Sequence, residues 1–149
     1  MLKKDIKITV DFDNTCALED FPLVGADVPY AVETLKRLAS NGVKLILWTC
    51  RQNEQLKDAV EWFRRNDILL FGVNEDPQPD ETLAALYGIP RKIIGDFNID
   101  DRNLGCPTID IESNGKVYTV VDWRTLEETL IKKGILWQER KKLLRNSST

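Results

Sequence analysis

Short apolar runs alternate along the chain with segments in which apolar residues recur every three or four positions. The first pattern is typical of buried strands and the second of amphipathic helices. The apolar runs predict four strands, at residues 6–10, 43–48, 68–73 and 93–99. The helical spacing predicts three helices between them, at residues 30–39, 52–65 and 80–87.

The pattern changes after Gly105. Residues 109–112 and 116–121 flank Ser113-Asn114-Gly115, which predicts a β-hairpin with a short turn. A helix is predicted at residues 123–133, with Asp122 as its N-cap. Residues 16–28 are predicted to be a loop because Pro22 and Gly25 interrupt them and Pro29 directly follows them. The run at residues 140–145 is basic.

Strands that alternate with helices indicate an α/β fold with a central parallel sheet and right-handed crossovers. We expect one domain over residues 1–149, with a core at 5–105 and a hairpin and helical extension at 106–149. Trp123 and Trp137 in that extension could serve a core or an interface, and their setting favours the core. Functional sites of such sheets lie at the carboxyl ends of the strands.

Composition narrows the chemistry. The chain has 149 residues, a formal net charge of −3 and no histidine. Without histidine, Ser-His and Cys-His catalysis and His-ligated zinc are excluded. Three cysteines without a C-x-x-C pair indicate neither a disulfide framework nor a zinc site. The net charge does not favour nucleic acid as a partner, although the basic run leaves that open. No signal peptide or membrane-spanning run is recognised, so we expect a cytoplasmic protein without a membrane partner.

Polar residues follow three of the predicted strands. Asp11 and Asp13 end the first strand, Thr49 ends the second, and Asp100 and Asp101 follow the fourth. Carboxylates brought close together repel each other unless a cation or a proton lies between them. They therefore indicate either a divalent-metal site or a nucleophile beside a general acid/base. Read singly, each cluster could also be an ordinary polar turn.

The string V-D-F-D-N-T resembles the D-x-D-x-T motif of the haloacid dehalogenase (HAD) superfamily. The strings L-I-L-W-T-x-R and I-D-D-R-N-x-G look like those of small bacterial HAD-like hydrolases, and the resemblance extends from Ile8 to Gly105 in order. It implies a three-layer α/β/α Rossmann-like fold. It also implies a phosphatase that uses Mg²⁺, because members with a second aspartate transfer phosphoryl groups.

The resemblance assigns roles residue by residue. Asp11 would be the nucleophile and Asp13 the general acid/base. Asp11, Asp100 and the Asp13 backbone carbonyl would bind Mg²⁺. Thr49 and the lysine of the third family motif would stabilise the phosphoryl group. The remaining assignments concern that lysine (Lys92, with Arg91 as its competitor), support of the site (Thr15 and Asp101) and substrate phosphates (Arg51 and Arg102).

The segments between motifs are too short for an independent cap domain. The resemblance therefore implies an open site that accepts a phosphorylated substrate of unknown identity, or that a second subunit completes in a homo-oligomer. Two other interpretations stay open. The chain could be a non-catalytic metal-binding or interaction module, or it could act on the phosphorylated ends of polynucleotides. Arg51 and Arg102 could equally be paired with nearby acids.

Overall fold

The protein is described here by a computed structural model, which covers residues 5–138. The basic run at residues 140–145 lies outside the described residues. The elements follow in the order β1 (Lys7–Val10), β2 (Ala17–Asp20), β3 (Leu23–Asp27), α1 (Ala31–Ser40), β4 (Lys44–Leu47), α2 (Asn53–Arg65), β5 (Gly72–Val73), α3 (Glu81–Tyr87), β6 (Phe97–Ile99), β7 (Thr108–Ser113), β8 (Lys116–Val121) and α4 (Trp123–Lys132).

A four-stranded parallel sheet forms the centre of the fold, in the order β5-β4-β1-β6. Val10, the last residue of β1, pairs with Leu47 of β4 and with Ile99 of β6. Three strands therefore end at the same level of the same edge. The fold is mixed α/β with a central parallel sheet and flanking helices, as the alternation of apolar patterns predicted.

The hairpin predicted after Gly105 is confirmed. Strands β7 and β8 pair in antiparallel register from Thr108↔Val121 to Ser113↔Lys116. Asn114 and Gly115 connect them with φ values of 52° and 77°. Both values lie in the left-handed region, which asparagine and glycine tolerate best.

The loop predicted at residues 16–28 is wrong. Strands β2 and β3 form an antiparallel hairpin there, in which Glu19 pairs with Val24 and Asp20 with Leu23. Pro22 lies in the turn between the strands, where it needs no ladder hydrogen bond, so it does not interrupt pairing. We call this segment the flap hairpin. Two predicted strands are also shorter than expected, since only Gly72–Val73 and Phe97–Ile99 pair in the sheet.

The helices differ in what they bury. Helices α1, α2 and α4 contribute Leu35, Trp62 and Trp123 to one hydrophobic core with the residues of β1 and β4. All seven residues of α3, by contrast, are at least partly exposed. Trp123 is buried as predicted, whereas Trp137 is 58% exposed, so that prediction is wrong. Among residues 5–138, no helix has the length and apolar character that crossing a membrane requires.

Candidate functional site

Three carboxylates meet where β1 and β6 end. The Asp11 backbone N–H donates a hydrogen bond of 2.9 Å to the carbonyl of Ile99, which places Asp11 beside Asp100. One carboxylate oxygen from each of Asp11, Asp100 and Asp101 lies within 4.8 Å of the others. We call these residues the Asp triad. The family resemblance implied Asp11, Asp100 and the Asp13 backbone carbonyl as metal ligands and gave Asp101 a supporting role. The structure brings the carboxylates of Asp11, Asp100 and Asp101 together.

The protonation of the triad reflects its crowding. Burial and, to a smaller extent, the neighbouring Asp100 carboxylate together raise the pKa of Asp11 to about 8. Burial likewise raises the pKa of Asp101. Both shifts express the cost of placing negative charges together in a poorly solvated site. A divalent cation among these oxygens would offset that cost and would favour the ionised forms of Asp11 and Asp101.

Thr15 links two members of the triad. Its hydroxyl donates to Asp11 Oδ2 at 3.0 Å and accepts from the Asp101 backbone N–H at 3.3 Å. The carbonyl of Thr15 accepts a buried hydrogen bond of 2.7 Å from Trp123 Nε1. Thr15 therefore lies where a supporting residue was predicted, and the start of α4 holds it there.

Asp13 points to a different partner from Asp11. Its two carboxylate oxygens accept hydrogen bonds of 2.7 and 2.9 Å from the guanidinium of Arg51. Arg51 is 3% exposed, and it also donates to the carbonyls of Pro22 and Leu23 in the flap hairpin. Arg51 thus pairs with a nearby acid, which was one of the two interpretations left open for it.

Thr49 lies where the sequence placed it, in the loop after β4. Its backbone N–H donates 2.8 Å to Asn74 Oδ1, which fixes the loop from the end of β5. Its hydroxyl accepts from the Arg51 backbone N–H at 3.1 Å. That contact uses a lone pair of the oxygen and not the hydroxyl proton. The hydroxyl can therefore still donate to a ligand in the cavities that Thr49 and Asp11 both line.

The structure does not bring Lys92 to the triad. Lys92 and Arg91 both line a separate cavity of about 560 Å³, together with Lys7 and Asp76. Neither residue lines the cavities that contain Asp11. That either of them supplies the cation of the site stays a prediction. This cavity is larger than the two that contain Asp11. Two of its charged residues, Lys7 and Asp76, form an ion pair with each other at 2.7 Å.

Two smaller cavities meet at Asp11, Thr49, Cys50 and Asp100. One, of about 390 Å³, is also lined by Asp13, Phe21 and other residues, and we call it the Asp13 cavity. The other, of about 320 Å³, includes Trp48. Arg102 is exposed and lines the Asp13 cavity. Its contact with a substrate stays a prediction.

Four hydrogen bonds of the site were not predicted from the sequence. Two join Arg51 to the flap hairpin, one joins Thr49 to Asn74, and one joins Thr15 to Trp123. The partners are 25 to 108 positions apart. A local pattern carries no signal for such pairs. The one available signal is that Asn74 directly follows a predicted strand, which would place it at the same edge of the sheet as Asp11, Thr49 and Asp100.

The residues present fit a hard divalent cation. The described donors are carboxylate oxygens, which Mg²⁺ and Ca²⁺ prefer, and the neighbouring hydroxyl of Thr15 already holds Asp11. Soft ligands contribute little: burial raises the pKa of the Cys16 thiol well above its usual value, so it stays protonated.

No protein-family model and no curated protein matches the chain. One similar solved structure is that of a conserved protein coded by a locus of Bacteroides thetaiotaomicron, with a TM-score of 0.68 and 32% sequence identity. The similarity covers 91% of this chain and 100% of that one. An identity of this size over nearly the full length of both chains indicates common descent. The chain belongs to the same family as the conserved protein from Bacteroides thetaiotaomicron.

Proposed function

We propose that this protein is a Mg²⁺-dependent phosphohydrolase of the HAD type, which cleaves phosphomonoesters through an aspartyl-phosphate. The observation that carries the proposal is the convergence of Asp11, Asp100 and Asp101 within 4.8 Å at the carboxyl edge of a parallel sheet. The chain order of the motifs supports it, since Asp11 follows a central strand and Thr49 and Asp100 follow its two neighbours.

Asp11 begins the reaction. A carboxylate oxygen of Asp11 attacks phosphorus, the ester P–O bond breaks, and its electron pair leaves with the alcohol oxygen. Asp13 donates the proton that this oxygen needs. Asp13 then takes a proton from water, whose oxygen attacks the aspartyl-phosphate phosphorus and releases inorganic phosphate. Asp11 regains its carboxylate, so the protein ends the cycle unchanged.

Asp13 has to act as the acid while it is paired with Arg51. Both of its oxygens accept a hydrogen bond from Arg51, so the transferred proton occupies the remaining lone pair of one oxygen or replaces one of these contacts. Turning one oxygen toward the Asp13 cavity would leave a single contact with Arg51. Arg51 would then still hold the carboxyl group in reach of the leaving oxygen.

The other polar residues orient and stabilise the phosphoryl group. The Thr49 hydroxyl donates to one of its oxygens. Asp100 and Asp101 would hold the cation together with Asp11, and Thr15 orients Asp11 and Asp101. When bound, Mg²⁺ neutralises carboxylate and phosphate charge so that the two anions can approach each other.

The access to the site suits a substrate whose alcohol portion remains partly outside. The flap hairpin contributes Glu19 and Phe21 to the wall of the Asp13 cavity. The segments that would carry a cap in larger HAD enzymes instead form this hairpin with α1, and the short helix α3. We therefore propose a capless form of the three-layer HAD fold, with low affinity for the smallest phosphoesters because they offer few groups for binding.

Hydrolysis of p-nitrophenyl phosphate by the purified protein tests the proposal. We expect turnover with Mg²⁺, loss of turnover with a chelator, and recovery when Mg²⁺ is restored. Borohydride reduction during turnover should convert one aspartate, Asp11, to homoserine, which peptide mass spectrometry detects. Turnover that persists in the chelator, or a modified residue other than Asp11, would contradict the proposal.

A further inference from the structure

Phe21 occupies an unusual position for a large apolar side chain. It lies in the turn of the flap hairpin between β2 and β3, and 61% of its surface is exposed. Single exposed apolar residues are common and need no explanation by themselves. Phe21, however, lines the same cavity as Asp11 and Asp13. Its exposed surface is therefore part of the candidate site.

The ring is held in place from the protein side. The guanidinium carbon of Arg51 lies 5.4 Å from the centroid of Phe21 and 5.1 Å from that of Phe12, which is buried. Arg51 also donates to the carbonyls of Pro22 and Leu23, at 3.3 and 2.8 Å. The backbone that follows Phe21 is thus fixed by the same side chain that contacts its ring. A platform held in this way costs little entropy when a ligand binds to it.

The chemistry of the site determines which part of a substrate meets this ring. The leaving oxygen must come within hydrogen-bond reach of Asp13. The alcohol portion of the substrate therefore occupies the Asp13 cavity. Apart from Cys50, the other residues that line this cavity are polar or charged and include Asn14, Glu19 and Arg102. Phe21 is therefore the large apolar side chain that the cavity offers to the alcohol portion.

Planar rings bind best to such a surface. Aromatic pairs stack with offset or edge-to-face geometry and gain more than their buried area alone provides. Nucleobases stack on aromatic side chains for the same reason, whatever their sequence. We propose that Phe21 is a specificity-determining residue that selects phosphomonoesters whose alcohol carries a planar aromatic or heteroaromatic ring. The inference rests on the proposed phosphohydrolase function and names the substrate class of the same site.

Benzyl phosphate and cyclohexylmethyl phosphate form a matched pair of test substrates, because the two alcohols are similar in size and acidity and differ in planarity. We expect kcat/KM to be about fivefold higher for benzyl phosphate, as the stacking of one ring would give. Adenosine 5′-monophosphate should exceed ribose 5-phosphate by about tenfold, since a nucleobase offers a larger face.

Variants of the flap hairpin separate stacking from folding. Phe21→Leu keeps an apolar side chain and should reduce both preferences to near unity, whereas Phe21→Tyr should retain them. Leu23→Ala is the matched control, because Leu23 is 65% exposed on the same hairpin and does not line the Asp13 cavity. Its preferences should equal those of the unmodified protein. Equal kcat/KM for both members of each pair, or an equal loss for both in Phe21→Leu, would overturn the inference.

A binding measurement keeps this inference distinct from the proposed function. Benzylphosphonate and cyclohexylmethylphosphonate contain a P–C bond that a phosphatase does not cleave. Calorimetry with Mg²⁺ should show tighter binding of benzylphosphonate to the unmodified protein and no difference with Phe21→Leu. If no phosphomonoester is hydrolysed, the proposed function fails, and the calorimetric comparison still decides whether Phe21 selects planar rings. If hydrolysis occurs without a planar preference, only the inference about Phe21 fails.

Discussion

The indole Nε1 of Trp123 donates a buried hydrogen bond of 2.7 Å to the carbonyl oxygen of Thr15, which lies 108 positions earlier in the chain. The Val121 backbone N–H makes a similar contact, of 3.0 Å, with the carbonyl of Asn14. The end of β8 and the start of α4 therefore hold the loop that carries Asp13 and Thr15. The last third of the chain thus supports the candidate site directly.

Trp123→Phe tests this support. The substitution removes the indole donor and leaves the Thr15 carbonyl buried without that partner, which should lower the free energy of unfolding by about 1–3 kcal/mol. Urea unfolding measures the change. Trp137→Phe is the control, because Trp137 is 58% exposed, and it should be nearly neutral. Equal effects of the two substitutions would show that the contact with Thr15 does not stabilise the fold.

The two aspartates of the first motif should respond differently to amidation. Asp11→Asn should abolish both turnover and the aspartyl-phosphate, since an amide cannot serve as the nucleophile. Asp13→Asn should lower kcat by about a hundredfold or more for alkyl phosphates, which need protonation of the leaving oxygen. Its effect should be smaller for p-nitrophenyl phosphate, whose leaving group is stable as an anion. An Asp11→Asn protein with full activity would exclude the mechanism.

The stability of the metal-free protein should depend on pH through Asp11. Its folded-state pKa of about 8 lies above the ordinary value of 3.8, so between these values the folded state binds more protons than the unfolded state. The contribution of Asp11 to stability is therefore fully present at the acidic end of this window and is lost as the pH rises toward 8. Asp100 and Asp101 face Asp11, and the raised pKa of Asp101 acts in the same direction.

Thermal unfolding across this pH window, with and without Mg²⁺, checks the expectation. In a chelator, Tm should fall more steeply with pH for the unmodified protein than for Asp11→Asn, which cannot ionise at this position. Mg²⁺ should raise Tm most at the alkaline end, where the carboxylates are charged. Identical pH profiles for the two proteins in chelator would show that Asp11 does not titrate in this range.

Arg51 should be important for stability as well as for the site. Arg51→Met removes the ion pair with Asp13 and two hydrogen bonds to the flap hairpin, so we expect a loss of about 2–4 kcal/mol. Arg51→Lys keeps the charge but not the paired geometry and should recover only part of that loss. Arg102→Met is the control, since Arg102 is exposed in the same cavity. An unchanged free energy of unfolding in Arg51→Met would show that these contacts of Arg51 do not stabilise the fold.

The family resemblance assigned both Thr49 and Lys92 to the phosphoryl group, whereas in the structure Thr49 shares a cavity with Asp11 and Lys92 lines another. Thr49→Ala should lower kcat about tenfold to a hundredfold, because it removes a donor to the phosphoryl group, and Thr49→Ser should restore it. Lys92→Met should leave kcat and KM close to those of the unmodified protein, because Lys92 lines a different cavity. A loss of activity in Lys92→Met as large as that in Thr49→Ala would mean that Lys92 reaches Asp11 during turnover.

The sequence by itself was sufficient for features that depend on neighbouring residues. Helices α1 and α2 were predicted to within one residue at each end because apolar positions recur there at helical spacing. The placement of Asp11, Thr49 and Asp100 at strand ends followed from apolar runs that end in polar residues. Since parallel strands end at a common edge, this local information already brought the three positions together.

Tertiary structure alone decided the features that depend on distant partners. Asp13 and Arg51 are 38 positions apart, and nothing in either local sequence shows that they pair or that Arg51 also binds the flap hairpin. The two strands of the flap hairpin have no regular alternation of polar and apolar residues, so the local sequence does not indicate that they are strands. The surroundings of Lys92 also depend on distant partners. It lies only eight positions before Asp100 in the chain, yet it lines a different cavity from Asp11 and Asp100.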